Sequence, residues 1–201
     1  MLFRSNSVIF SPHTDDAIFS LASYLINKNN YTVASAFAGI PTDDVGFKKH
    51  SILRKEHSDA CSSIGIKEVN NDLLDDVYGL QDINILNQWI EKTIVNFDNI
   101  YIPLGIHHPD HILLSNELVK LINKYDKNFY FYSELPYRLL FPEKYLIRSY
   151  QIKSKINCKC IQIELNMNKE FFIKKYKSQI GTNNEVVPYL MTHEEIWQVI
   201  K

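Results

Sequence analysis

The chain lacks any apolar run of the roughly 18 residues that a membrane span requires, so no membrane-spanning segment is expected. Its first apolar run, in MLFRSNSVIF, is too short for a signal peptide and reads as a strand. An excess of either charge is also lacking: 22 basic and 23 acidic residues leave a net charge of −1. A nucleic-acid surface needs a basic excess on one face, so no nucleic-acid partner is expected. Cysteine is scarce, and Cys61, Cys158 and Cys160 are an odd set without metal-type spacing. They read as packing residues of a reduced protein, expected to be cytoplasmic. Internal repeats and low-complexity linkers are missing as well. The remaining sequence suits one domain over residues 1–201, with ample apolar content for a core.

Short β-rich runs alternate with helical patterns through the first two thirds. SVIF (7–10), YTVASAFA (31–38), IKEVN (66–70), NIYIPL (99–104) and NFYFYSEL (128–135) read as strands. Helical spacing follows Ile18, Leu21, Ala22 and Leu25, and recurs from Lys48 to Ile64, in INILNQWIEKTIVNF and in HILLSNELVKLINKY. Gly65 suits a C-terminal cap. A polar loop with Gly39, Pro41, Asp43, Asp44 and Gly46 follows the second strand. In the final third, RSYQIK (148–153) and CKCIQIEL read as edge or antiparallel strands, with a helix near 168–180. The alternation predicts an α/β fold, a Rossmann-like three-layer sandwich with a mainly parallel sheet.

Ligands collect beyond the carboxyl ends of parallel strands, and two polar clusters sit at such ends. SPHTDD follows the first strand, and GIHHPDH follows NIYIPL. His13 and Asp16, three apart at a strand-to-helix junction, fit one turn; an aspartate there is equally good as a helix N-cap. The second cluster has His107, His108, Asp110 and His111 within five residues, in a chain with seven histidines. Pro109 suits a first helical turn, which explains the proline but not the histidines. If the first and fourth strands are neighbours, His13, Asp16 and His111 offer two imidazoles and one carboxylate. That set matches a catalytic zinc site with an open position. It also matches a non-haem iron(II) oxygenase, a chemistry built mostly on all-β jelly rolls, which the strand–helix alternation disfavours.

These segments together resemble the PIG-L/LmbE-like family of metal-dependent N-acetylsugar deacetylases. SPHTDDAIFS matches its His-x-Asp-Asp motif, and AFAG (36–39) its turn after the second strand. RKEHSDACSSIGI supplies Arg54, Glu56, Ala60 and Gly65; DLLDDVYG supplies the Asp-rich turn; PLGIHHPDH carries the His-x-Asp-His motif. SELPYR and KKYKSQI match two later segments, so the resemblance runs from about residue 7 to 180. Thr14, Ala17 and SLAS (20–23) depart from the pattern, which bears on the substrate more than on the chemistry.

The resemblance implies an LmbE-like fold and a zinc-dependent hydrolase, with Fe2+ as the alternative metal. The reaction it implies removes the acetyl group from an N-acetylated amino sugar or glycoconjugate of N-acetylglucosaminyl type. His13, Asp16 and His111 are implied as metal ligands and Asp15 as the general base, against an N-cap role for Asp15. His108 is implied to polarise the amide carbonyl, with Asp110 holding its ring, and His107 to be a rim or structural residue. Arg54 and Asp75 (or Asp76) stand as substrate contacts, and Tyr137 with Arg138, on the loop after FYFYSEL, as shaping the acceptor side. The competing readings are a helix-surface charge for Arg54 and packing or solvated roles for Tyr137 and Arg138. His50, His57 and His193 read as surface residues, and FYFY as packing. The competing function is a catalytically inactive sugar- or nucleotide-binding protein on the same fold.

Overall fold

The structure, a computed structural model, describes residues 6–43, 50–79, 81–181 and 185–201. In chain order its elements are β1 (Ser7–Ser11), α1 (Asp16–Leu25), β2 (Tyr31–Ser35), α2 (His50–Ile64) and β3 (Lys67–Asn70). Next come a 3-10 turn (Asp76–Tyr78), α3 (Ile83–Ile94), β4 (Asn99–Pro103), α4 (Pro109–Val119) and β5 (Asn128–Tyr132). The final third contains α5 (Tyr137–Leu140), α6 (Pro142–Lys153), β6 (Cys158–Ile163), α7 (Lys169–Ile173), α8 (Lys177–Ile180), α9 (Val187–Leu190) and β7 (Glu194–Val199).

The seven strands form one sheet in the order β3-β2-β1-β4-β5-β7-β6. The first five pair in parallel, and β7 and β6 add antiparallel. Strands buried on both faces need apolar residues at successive positions, which SVIF and NIYIP supply. Along β1, Val8 and Phe10 pack into one core cluster and Ile9 into the other. Ile18, Leu21 and Leu25 of α1, with Ala60 of α2, cover the Ile9 face. Leu86, Ile90 and Ile94 of α3, with Leu114 and Leu118 of α4, cover the opposite face. Each such leucine or isoleucine contributes about 1.5–3 kcal/mol on burial. The expected three-layer α/β architecture is therefore present, with helices on both sides of a mostly parallel sheet. Among the described residues no helix is long and apolar enough to cross a membrane.

The final third departs from expectation. RSYQIK is not a strand but the end of α6. Pro142 opens that helix, and Tyr145, Ser149 and Ile152 turn toward the protein at helical spacing. The period is hard to read because the outer face carries Leu146, Ile147 and Tyr150. The helix expected near 168–180 is split into α7 and α8. Strand β7 was not anticipated, since its partners β5 and β6 are distant in sequence. Cys61 is buried in the core, whereas Cys160 is exposed on the edge strand β6, so packing does not explain it. Asp44 and Gly46 of the expected polar loop, and Lys48 and Lys49 of the expected helix start, lie outside the described residues.

The sheet order places β1 beside β4, paired from Ser7↔Asn99 to Ile9↔Tyr101. From β1 the chain proceeds outward to β2, and from β4 outward to β5. The loops after β1 and β4 thus leave the sheet in opposite directions and open a crevice between them. Both histidine clusters lie at that crevice.

Candidate metal centre

Ser11 ends β1 and organises the following turn. Its hydroxyl donates to the His13 carbonyl and accepts from the Ala17 N–H at 3.1 Å. Ser11 therefore performs the helix-capping task that an aspartate was expected to share. Asp15 occupies the N-cap position of α1, yet its side chain makes no capping bond. Burial, then the neighbouring Asp16 charge, push the Asp15 carboxyl up to about 7. The Asp16 carboxylate accepts from the His13 backbone N–H at 2.9 Å, which closes the turn.

Three donor atoms converge here. His13 Nδ1 lies 3.2 Å from Asp16 Oδ2, His111 Nε2 lies 3.1 Å from the same oxygen, and the two nitrogens are 3.3 Å apart. Tetrahedral zinc with ligands at about 2.0–2.1 Å separates adjacent donors by about 3.3 Å. The triangle thus has the dimensions of one face of a zinc coordination shell, and its donor types fit that metal. His13, His108 and His111 also lie close enough for one ion. Burial alone would lower both imidazoles. Asp16 and Glu134 outweigh it at His111, raised to about 9, and Asp110 and Asp16 outweigh it at His13. A cation entering the triangle displaces those protons.

Each histidine is held from behind by a carboxylate, which selects the nitrogen it turns to the centre. Asp110 Oδ2 sits 3.1 Å from His13 Nε2, leaving Nδ1 for the triangle. Glu134 Oε1 sits 3.3 Å from His111 Nδ1, leaving Nε2. The same Glu134 oxygen accepts from the Gly105 N–H at 2.7 Å, anchoring the loop that carries the second cluster. Glu134 is fully buried and was missed in the sequence. The signal was a carboxylate at the end of an apolar strand, in SELPYR, where burial demands a partner.

Asp110 corrects an expectation, because its carboxylate holds His13 and not His108. It is the Asp110 backbone N–H that donates to His108 Nδ1, at 3.3 Å, so the His108 ring caps α4. That bond leaves the proton of a neutral ring on Nε2. Burial, then the charges of His13 and His111, lower the His108 pKa and favour this neutral form. His108 lines the cleft as a hydrogen-bond donor, with Asp76 Oδ1 3.6 Å from its Nε2.

The remaining expected contacts divide. Asp75 lines the cleft, its Oδ2 3.4 Å from His13 Nε2. Tyr137 lines it too, its ring edge-on to His111 with centroids 4.9 Å apart. Arg54 does not line it; its Nη1 donates to Asp72 Oδ1 at 3.0 Å. Arg138 is buried in an ion pair with Glu195 at 3.1 Å, which neither of its expected roles anticipated. His107 stacks on Phe141 at 3.8 Å, a rim position. His50 is not an ordinary surface residue but lines the cleft mouth, with Phe37, Val77, Tyr78 and Gln179. His57 is fully buried; its Nδ1 lies 3.0 Å from the Tyr176 hydroxyl, which donates to the Thr14 carbonyl at 3.2 Å. Thr14 Oγ1 is buried and makes no hydrogen bond. The cavity measures about 420 Å³.

No protein-family model and no curated protein matches the chain. Solved structures do. The A40926 pseudoaglycone deacetylase Dbv21 aligns at 18% identity over 98% of both chains, with a TM-score of 0.76. The zinc-inhibited form of teicoplanin deacetylase Orf2 aligns at 17% identity over 98% of both chains, with a TM-score of 0.72. N,N'-diacetylchitobiose deacetylase from Pyrococcus horikoshii aligns at 12% identity over 98% of this chain and 84% of its own, with a TM-score of 0.60. These likenesses establish an LmbE-like α/β fold.

Proposed function

We propose that this chain is a PIG-L/LmbE-like N-deacetylase, which hydrolyses the acetamide of an N-acetylated amino sugar or glycoconjugate. The observation that carries this reading is the triangle of His13 Nδ1, Asp16 Oδ2 and His111 Nε2, with Asp15 beside it and free of capping duty. The fold shared with deacetylases of glycopeptide and chitobiose substrates supports it.

His13 Nδ1, Asp16 Oδ2 and His111 Nε2 would hold a zinc ion, which when bound would supply Lewis acidity and lower the pKa of water from about 16 toward about 7. The Asp15 carboxylate accepts the proton of the attacking water, and the water oxygen bonds to the acetyl carbon. As that carbonyl oxygen gains charge, His108 donates to it from Nε2–H, an interaction worth roughly 3 kcal/mol in such sites. The C–N bond then breaks, and Asp15 returns the proton it took from water to the leaving amine. Acetate and a free amino sugar are the products. Asp110 and Glu134 keep both ligand imidazoles in the required orientation throughout. Asp75 accepts from a sugar hydroxyl at the cleft wall, and Tyr137 packs beside His111.

Asp15→Ala is expected to lower amine release from an N-acetylglucosaminide by about 100-fold or more, with zinc content unchanged. An equal rate in the variant removes Asp15 as the base. Purified protein that neither holds zinc nor takes it up on titration removes the hydrolase reading in favour of a sugar-binding protein.

A further inference from the structure

A second group of metal-ligating side chains lies outside the cleft, between α2 and the edge strand β3. His57 and Cys61 are four residues apart on α2, so one face of the helix presents both. On β3, Glu68 and Asn70 are half-buried and alternate with the exposed Lys67 and Val69. Glu68 Oε2 lies 3.5 Å from His57 Nε2, and Cys61 Sγ lies 3.6 Å from the same nitrogen. One donor atom from each of the three residues falls within 4.8 Å of the others. Zinc with Zn–S about 2.3 Å and Zn–N about 2.0–2.1 Å separates adjacent sulfur and nitrogen by about 3.6 Å, and nitrogen and oxygen by about 3.4 Å.

The His57 ring is oriented from its other side. The Tyr176 hydroxyl gives its one proton to the Thr14 carbonyl, so at 3.0 Å it accepts from His57 Nδ1–H. A neutral ring then turns the Nε2 lone pair toward Cys61 and Glu68. Burial holds the ring down at about 4, which keeps it neutral. Nε2 therefore meets the Glu68 carboxylate as acceptor against acceptor, with the single Cys61 thiol proton to serve both. Burial, then the Glu68 charge, push that thiol up, so the proton stays until a cation displaces it. Arg54, one turn earlier on α2, has its charge paired with Asp72 at 3.0 Å. Asn70 Nδ2 donates to Glu68 Oε2 at 3.4 Å and steadies the carboxylate.

We propose that His57 Nε2, Cys61 Sγ and Glu68 Oε2 form a second metal site, for a thiophilic divalent ion such as zinc. It stands apart from the His13–Asp16–His111 triangle and does not depend on the deacetylase reading. A thiolate with an imidazole selects zinc or cobalt over magnesium and calcium, which take oxygen ligands. The thiol proton passes to solvent as the ion enters, and thiolate and carboxylate together balance its two charges. Glu68, with its side chain 28% exposed on the edge of the sheet, leaves a path for the ion and for a water as further ligand. The ion fastens α2 to β3. Through His57 and Tyr176 it also braces the Thr14 carbonyl, one residue before Asp15.

Cobalt(II) is the probe, because a thiolate ligand gives a near-ultraviolet charge-transfer band that the sulfur-free triangle cannot give. The His13→Ala/His111→Ala variant, which lacks the triangle, is expected to bind cobalt with that band and to lose it on zinc titration. Saturating zinc is expected to raise the Tm of the same variant. Cys61→Ser is expected to abolish the band, whereas Cys158→Ser/Cys160→Ser, which removes the other thiols, is expected to keep it. Glu68→Gln, a partly exposed position that spares the core, is expected to weaken cobalt binding by at least about tenfold. The band reports the second site in wild type too, so a folding failure of the triangle variant leaves the test intact. Absence of the band, a band that survives Cys61→Ser, or unchanged affinity in Glu68→Gln overturns the site and leaves a Cys61 thiol bonded to His57.

Discussion

Neighbouring polar residues of the two histidine motifs have separate tasks. Asp16 joins the donor triangle, while Asp15 is released from capping by Ser11 and is driven toward neutrality by burial. Asp110 and Glu134 never touch the proposed metal but decide which imidazole nitrogen reaches it. Asp110→Asn and Glu134→Gln are each expected to weaken zinc binding by about 10- to 100-fold, measured by competition with a chromogenic chelator. Unchanged affinity in both variants would show that the rings are held by packing alone. His57 permits a pH prediction of a different kind. Burial holds it down at about 4, against about 6.5 in an unfolded chain. Between those values the unfolded state binds the proton and the folded state does not. Stability therefore falls as pH drops from about 6.5 to about 4, by on the order of 3 kcal/mol at about 1.4 kcal/mol per unit. Urea unfolding of wild type and His57→Gln across that window checks the sign, since the variant is expected to lose less stability on acidification.

At the scale of elements, the turn between β4 and α4 is closely constrained. Gly105 has φ +82°, and a Cβ there would lie 2.8 Å from Ser115 Cβ on α4. Its N–H is also the donor that fixes Glu134 behind His111. A left-handed conformation costs a non-glycine residue roughly 1–2 kcal/mol, and the collision with α4 adds to that. Gly105→Ala is expected to lower the Tm by roughly 4–8 °C and to weaken zinc binding as well, read by calorimetry and chelator competition. This turn, PLGIHHPDH, was recognisable in the sequence because its glycine, proline and histidines have distinct local demands. The helical nature of RSYQIK was not, because an apolar outer face blurs the period by which an amphipathic helix is identified.

At the scale of the molecule, the irregular final third is built into the fold by buried polar contacts. The Glu194 carboxylate, at the start of β7, accepts from the Ser23 and Tyr24 N–H groups of α1 at 2.8 and 2.9 Å. Lys169 of α7 lies 2.8 Å from it, and both side chains are fully buried. Removing one partner of such a pair leaves the other charged group without compensation. Glu194→Ala is expected to cost roughly 3–5 kcal/mol in urea unfolding, and a loss below about 1 kcal/mol would mean that packing alone seats the C-terminal third. The sheet order acts at the same scale. His13 and His111 are 98 residues apart in sequence and meet at 3.3 Å because β1 pairs with β4 at the point where the chain direction across the sheet reverses.

From the sequence alone, the strand–helix alternation, the two polar clusters at strand ends and the donor set His13, Asp16 and His111 were readable. Each depends on local spacing: apolar runs long enough for a buried strand, a three-residue step across a turn, a proline at a helix start. Tertiary structure alone decided the partnerships. Whether the Asp110 carboxylate holds His108, two residues away, or His13 across the crevice depends on which loop the sheet order brings opposite it. Glu134, Tyr176 and the buried His57 gained their contacts in the same way. Val77 and Tyr78 are ordinary apolar residues in the sequence, and tertiary contacts such as the Asp76–Asp110 hydrogen bond hold them beside the cleft.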